Sequence, residues 1–107
     1  MAAVRLETEN IVDWDSFHLK CKEVFGFPDF YGKNMDAWID CLTYVRDGDG
    51  MSRFKMCENE MLEIEVTDTR SFNERVPEIF DALIQSSAFV NSRYKAPVIA
   101  LVFTDSI

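Results

Sequence analysis

The stretch Phe27-Pro28-Asp29-Phe30-Tyr31-Gly32-Lys33-Asn34-Met35-Asp36-Ala37-Trp38-Ile39-Asp40-Cys41-Leu42-Thr43 decides how the chain is read. Pro28 and Gly32 mark its first half as a loop, which carries two aromatics of exposed character, Phe30 and Tyr31. Asn34 can accept orphan amide protons of a first helical turn, so the spacing predicts a helix over residues 35–45. Met35, Trp38 and Leu42 recur at i, i+3 and i+7, as a buried stripe does. Asp36, Asp40 and Thr43 recur at i, i+4 and i+7 and form a separate polar stripe. Like charges one turn apart cost an isolated helix about 0.2–0.5 kcal/mol. The helix dipole compensates Asp36 at the helix start but does not compensate Asp40 in mid-helix.

Upstream, Val4 and Leu6 alternate with Arg5 and Glu7, which predicts a short strand over residues 3–7. A helix follows, capped by Asp13 or Asp15, with Phe17, Cys21, Val24 and Phe25 on one face. Gly26 stops it and Pro28 forbids its continuation. His18, the one histidine, flanks Phe17 and Leu19 and reads as a helix-edge residue in water. Downstream, residues 46–50 read as a flexible turn. Residues 51–60 give no firm pattern beyond a brief extended piece around Phe54 to Met56. Leu62, Ile64 and Val66 alternate with acids in a strand over residues 61–67. The acids Glu58, Glu60, Glu63 and Glu65 read as solvated faces of a loop and an edge strand. Thr69 or Ser71 opens a helical region, and Pro77 suits the first turn of a longer helix ending near Ser92. Its face is Ile79, Phe80, Leu83, Ile84 and Ser87. The continuous run Val98 to Phe103 predicts a strand buried on both faces. The order β-α-α-β-α-α-β implies an α/β fold, a small parallel sheet with right-handed crossovers, in one domain over residues 1–107.

Hydrophobic residues are 48% of the chain and aromatics 13%, enough for a compact core. No apolar run approaches the ~20 residues that span a bilayer. Glu7 interrupts any leader-like start, so a cytoplasmic location is expected. The net charge of -8 disfavours direct nucleic-acid binding, which needs Lys and Arg to displace counterions, and favours either solubility alone or a basic protein partner. Cys21, Cys41 and Cys57 form no Cys-x-x-Cys pair and read as free buried thiols. Asp47-Gly48-Asp49-Gly50 lacks the further acids of a calcium loop and reads as a plain turn. No metal or cofactor is expected. One histidine supports no acid–base pair, and Asp36 with Asp40 would need a cleft to act as paired carboxylates. No catalytic residue is assigned, and an enzyme is not expected.

Phe30 and Tyr31 precede the polar helix face, and Thr43 and Tyr44 lie at its end. Aromatics framing acids are what a binding hot spot looks like; a solvated helix face over two packed aromatics has the same pattern.

The run of Pro, an acid, two aromatics, Gly, Asn, an apolar residue, Asp, Ala and then Asp40-Cys41-Leu42-Thr43 closely resembles the signature of the barstar family, intracellular inhibitors of barnase-type ribonucleases. The resemblance implies three parallel strands packed with three to four helices. It implies that the second helix and its preceding loop enter a nuclease active site, with acids standing in for substrate phosphates. By motif position Asp40 is the central acid and Asp36 a second charged anchor. The resemblance also implies that Phe30 would stack on the enzyme's catalytic region, Asn34 would cap the helix and reach the partner, and Thr43 would add a rim hydrogen bond. Tyr31 and Trp38 support loop and core. Three positions depart from the family. Ile39 stands where a contacting Trp is usual, Tyr44 replaces a Gly, and Gln85 aligns with a contacting Glu of the last helix. Residues 48–59 look like an insertion. The implied function is a non-catalytic, one-to-one inhibitor of a basic ribonuclease, monomeric when free, for self-protection or toxin immunity. The altered contacts at Ile39, Tyr44 and Gln85 favour an alternative, an interaction module of the same fold with a non-nuclease partner.

Overall fold

A computed structural model describes residues 2–46 and 51–105. In chain order the elements are β1 (Ala2–Leu6), α1 (Trp14–Phe25), α2 (Met35–Thr43), β2 (Leu62–Val66), α3 (Thr69–Arg75), α4 (Pro77–Ser92) and β3 (Ile99–Phe103). The sheet runs β1-β2-β3 with both pairs parallel, and Ile64 of β2 is registered with Val4 and Leu101. The Asp47–Asp49 turn lies outside the described residues, as does part of the 48–59 segment.

Capping chemistry sets α1. Asp13 takes the Ser16 amide proton at 2.8 Å, and Ser16 Oγ accepts the amide proton of Asp13 in return. The Ser16 amide and hydroxyl, both donating to it, hold the Asp13 carboxyl below its ordinary range. At the other end Gly26 adopts φ 68°, and its N–H and that of Phe27 both reach Lys22 O. A Cβ at Gly26 would lie 2.7 Å from Arg53 Cβ. Arg53 approaches so closely because it finishes the helix: its N–H donates to Phe25 O and its Nε to Val24 O, at 2.9 and 2.8 Å.

Val4, Leu6, Leu62, Ile64, Val66 and Ile99 line the buried face of the sheet against the helices, in one core with Phe17, Phe25, Trp38, Leu42, Phe72, Ile79, Leu83 and Val90. The opposite face is open. Arg5 and Glu65 pair across it at 3.1 Å, next to Glu63 and the exposed Val102. Two expectations are corrected here. β3 is an edge strand with Val102 and Phe103 exposed, and is not buried on both faces. β2, expected at an edge because of its acids, is central, and its acids face the open side. All helices lie on one side, so the sheet has a single apolar layer against it.

Asn91 of α4 fixes the entry to β3. Its Oδ1 accepts the amide protons of Val98 and Ile99, both at 2.8 Å, and its Nδ2 donates to Ile99 O. Phe54 and Met56 are buried without forming a strand. Cys21 and Cys41 are buried, as expected, whereas Cys57 is exposed. Burial pushes the Cys21 thiol well above its ordinary value, so it acts as a core residue.

Candidate functional site

The loop before α2 is held from beneath. Phe27 stacks on Phe25, with centroids 5.2 Å apart, and packs against Tyr31 at 4.7 Å. Tyr31 N–H donates to Pro28 O at 2.9 Å, closing a tight turn. The Tyr31 hydroxyl meets His18 Nδ1 at 2.6 Å inside the protein. Tyr31 is therefore not an exposed aromatic, and His18 is not at a wetted helix edge: it is 2% exposed, between Trp14, Phe17 and Tyr31. Burial holds its imidazole below the ordinary value, with Asp15 opposing weakly, and pushes the Tyr31 phenol up. With Phe27 and Tyr31 turned inward, Phe30 projects outward and is 75% exposed.

Asn34 caps α2 as expected: its Oδ1 accepts the Ala37 amide proton at 2.8 Å, and its Nδ2 donates to Gly32 O. Trp38 and Leu42 are fully buried, and Ile39 is half-buried against the core. Asp36, Asp40 and Tyr44 come up on the outer face one turn apart, over about 12 Å of helix axis. Among the described residues, the side chains of Asp36 and Asp40 make no hydrogen bond or ion pair. Neither lines a principal cavity of the described residues.

Thr43 differs from the expected rim position. It is 6% exposed, and its hydroxyl donates back to Ile39 O at 2.6 Å. Its carbonyl accepts the hydroxyl proton of Tyr94, beyond α4. The Arg46 guanidinium covers the Tyr94 ring at 5.3 Å and donates to Glu60 O and Pro97 O. The far end of α2 is thus tied to two segments, the α4–β3 connection and the chain just before β2. Gln85 is exposed on α4. Tyr94, Arg46 and Asn91 were missed in the sequence, because each acts by reaching a distant backbone group that local periodicity does not reveal.

The site is a fixed loop and helix presenting two exposed aromatics, Phe30 and Tyr44, and two carboxylates without a partner among the described residues. Among the described residues no group of three or more His, Cys, Asp or Glu could hold a metal, and no helix is long and apolar enough to cross a membrane. An acidic, outward-facing helix surface thus stands on a three-stranded parallel α/β scaffold. A family model described as barstar (barnase inhibitor) matches residues 1–102, and the chain belongs to the barstar family. Members are non-enzymatic, and membership implies inhibition of a barnase-type ribonuclease. No curated protein matches the chain.

Proposed function

We propose that this chain inhibits a basic ribonuclease one to one by seating the Phe30 loop and the outer face of α2 in the enzyme's active site. The observation that carries the reading is the pair Asp36 and Asp40, without partners among the described residues, beside the 75% exposed Phe30, on a backbone held by the Pro28–Tyr31 turn and the Asn34 cap. Carboxylates held without internal partners are free to meet the cations of a phosphate pocket, and a pre-ordered loop loses little entropy on docking. Asp40 is the central acid, Asp36 the second anchor and Phe30 the stacking group. Asn34, Ile39 and Tyr44 border the contact. Thr43 seats the helix and offers no free hydroxyl proton. The free chain is a one-domain monomer that acts in the cytoplasm, guarding against a secreted nuclease of its own cell or a delivered toxin.

The test is RNA cleavage by a panel of basic microbial ribonucleases with wild type and with Asp40→Ala. The expected result is titration to zero activity at one equivalent, weakened in the variant by at least about 2 kcal/mol, a hot-spot loss. Equal inhibition by the variant sinks this placement of the site.

A second reading, an interaction module with a non-nuclease partner, is favoured by the half-buried Ile39 and the exposed Tyr44, which reshape the contact face. It predicts capture of a partner without ribonuclease activity by wild type.

A further inference from the structure

Beside the start of α2 lies an open cavity of about 300 Å³ lined by Trp14, His18, Lys33, Asn34 and Met35. We propose that it is a side-chain pocket that takes an aromatic residue of the partner, extending the recognition surface from α2 onto α1. The inference rests on the inhibitor reading, because the pocket is continuous with that surface: Asn34 borders both, and Asp36 follows Met35 directly.

The lining chooses the occupant. The Trp14 indole is 42% exposed although it stacks on His18, with centroids 5.9 Å apart and planes 19° from parallel. His18 cannot turn to meet a ligand, because Nδ1 is engaged by Tyr31 at 2.6 Å. The wall is therefore preformed. Lys33 brings an ammonium group, which is drawn to a ring face and repels a basic side chain. Met35 brings a thioether, which also favours aromatic contact. A carboxylate would be desolvated against the indole and the thioether, with the acid Asp36 next in the chain. A Tyr, Phe or Trp side chain satisfies all of these groups. It would cover the exposed Trp14 side chain.

The test compares binding kinetics of wild type, Trp14→Ala, Trp14→Phe and Asp40→Ala with barnase and related basic ribonucleases. A second arm titrates the free protein with N-acetyltyrosinamide, followed by proton–nitrogen correlation spectra. Trp14→Ala is expected to dissociate at least about tenfold faster, with association within about twofold, since an apolar pocket acts on residence rather than steering. Trp14→Phe restores most of the loss and shows that the fold is not at fault. The amide is expected to shift the resonances of Trp14, Lys33 and Met35 in wild type and to lose that effect in Trp14→Ala. Wild-type dissociation in Trp14→Ala, with binding lost in Asp40→Ala, overturns the pocket and keeps the inhibitor reading. Amide binding at the pocket in a protein that binds no ribonuclease keeps the pocket and overturns the inhibitor reading. A flat amide titration overturns the pocket whatever the ribonuclease result.

Discussion

Asp36 and Asp40 sit one turn apart with no internal partner, so the fold gains nothing from the Asp40 charge, and the favourable helix-start position of Asp36 is offset by their mutual repulsion. Asp36→Asn with Asp40→Asn should leave the melting temperature unchanged or slightly raised, relieving about 0.2–0.5 kcal/mol of repulsion. A clear fall on thermal melting would make these acids structural. His18 behaves oppositely. Burial lowers its pKa in the folded state below the ordinary 6.5. The unfolded chain then binds the proton more readily, so stability is complete above pH ~6.5 and declines as pH falls towards the folded value. Thermal melts between pH 7 and pH 5 should show that decline, and His18→Gln should flatten it. The burial of His18 had a trace in the sequence. It stands three residues before Cys21 and seven before Phe25, on the stripe that both occupy. What the sequence could not show is Tyr31 folding back to meet the ring, a contact made by a loop. The acids themselves, and Phe30, were legible because they break the helix pattern or stand outside it.

The elements were legible where short-range chemistry sets them. Asp13 and Asn34 begin their helices, Gly26 ends one, and Pro77 opens another, all within one turn of the residues they act on. Gly26→Ala should cost about 1–2 kcal/mol from the left-handed backbone alone, and more because its Cβ would displace Arg53. Asn34→Ala should cost about 1 kcal/mol by loss of the cap. Urea unfolding of the two variants checks the ranking; a Gly26→Ala loss smaller than that of Asn34→Ala contradicts it. β3 was misread because a continuous apolar run has the same composition at an edge and in a buried centre. Only the number of layers around the sheet decides, and that follows from the whole topology. Thr43 stands on the same angular face as Asp36, and its burial comes from α4 and Tyr94 packing over the end of α2, a contact that periodicity does not reveal.

At the scale of the molecule, a net charge of -8 meets a basic enzyme at long range before any contact forms. Association with an inhibited ribonuclease should slow steeply from low to physiological salt, over which the screening length shortens from about 30 to 8 Å. The Asp36→Asn, Asp40→Asn variant should show a shallower slope in stopped-flow measurements. Equal slopes would place the steering charge elsewhere on the surface. The two ends of α2 carry a further consequence. Asn34 fixes one end, and Thr43, Tyr94 and Arg46 fix the other, while the side chains of Asp36, Asp40 and Tyr44 are exposed and make no hydrogen bond or ion pair among the described residues. Positions that bear no structural burden can drift freely. A lineage facing an altered nuclease can therefore rewrite its specificity through these three residues, without passing through ancestors that fail to fold.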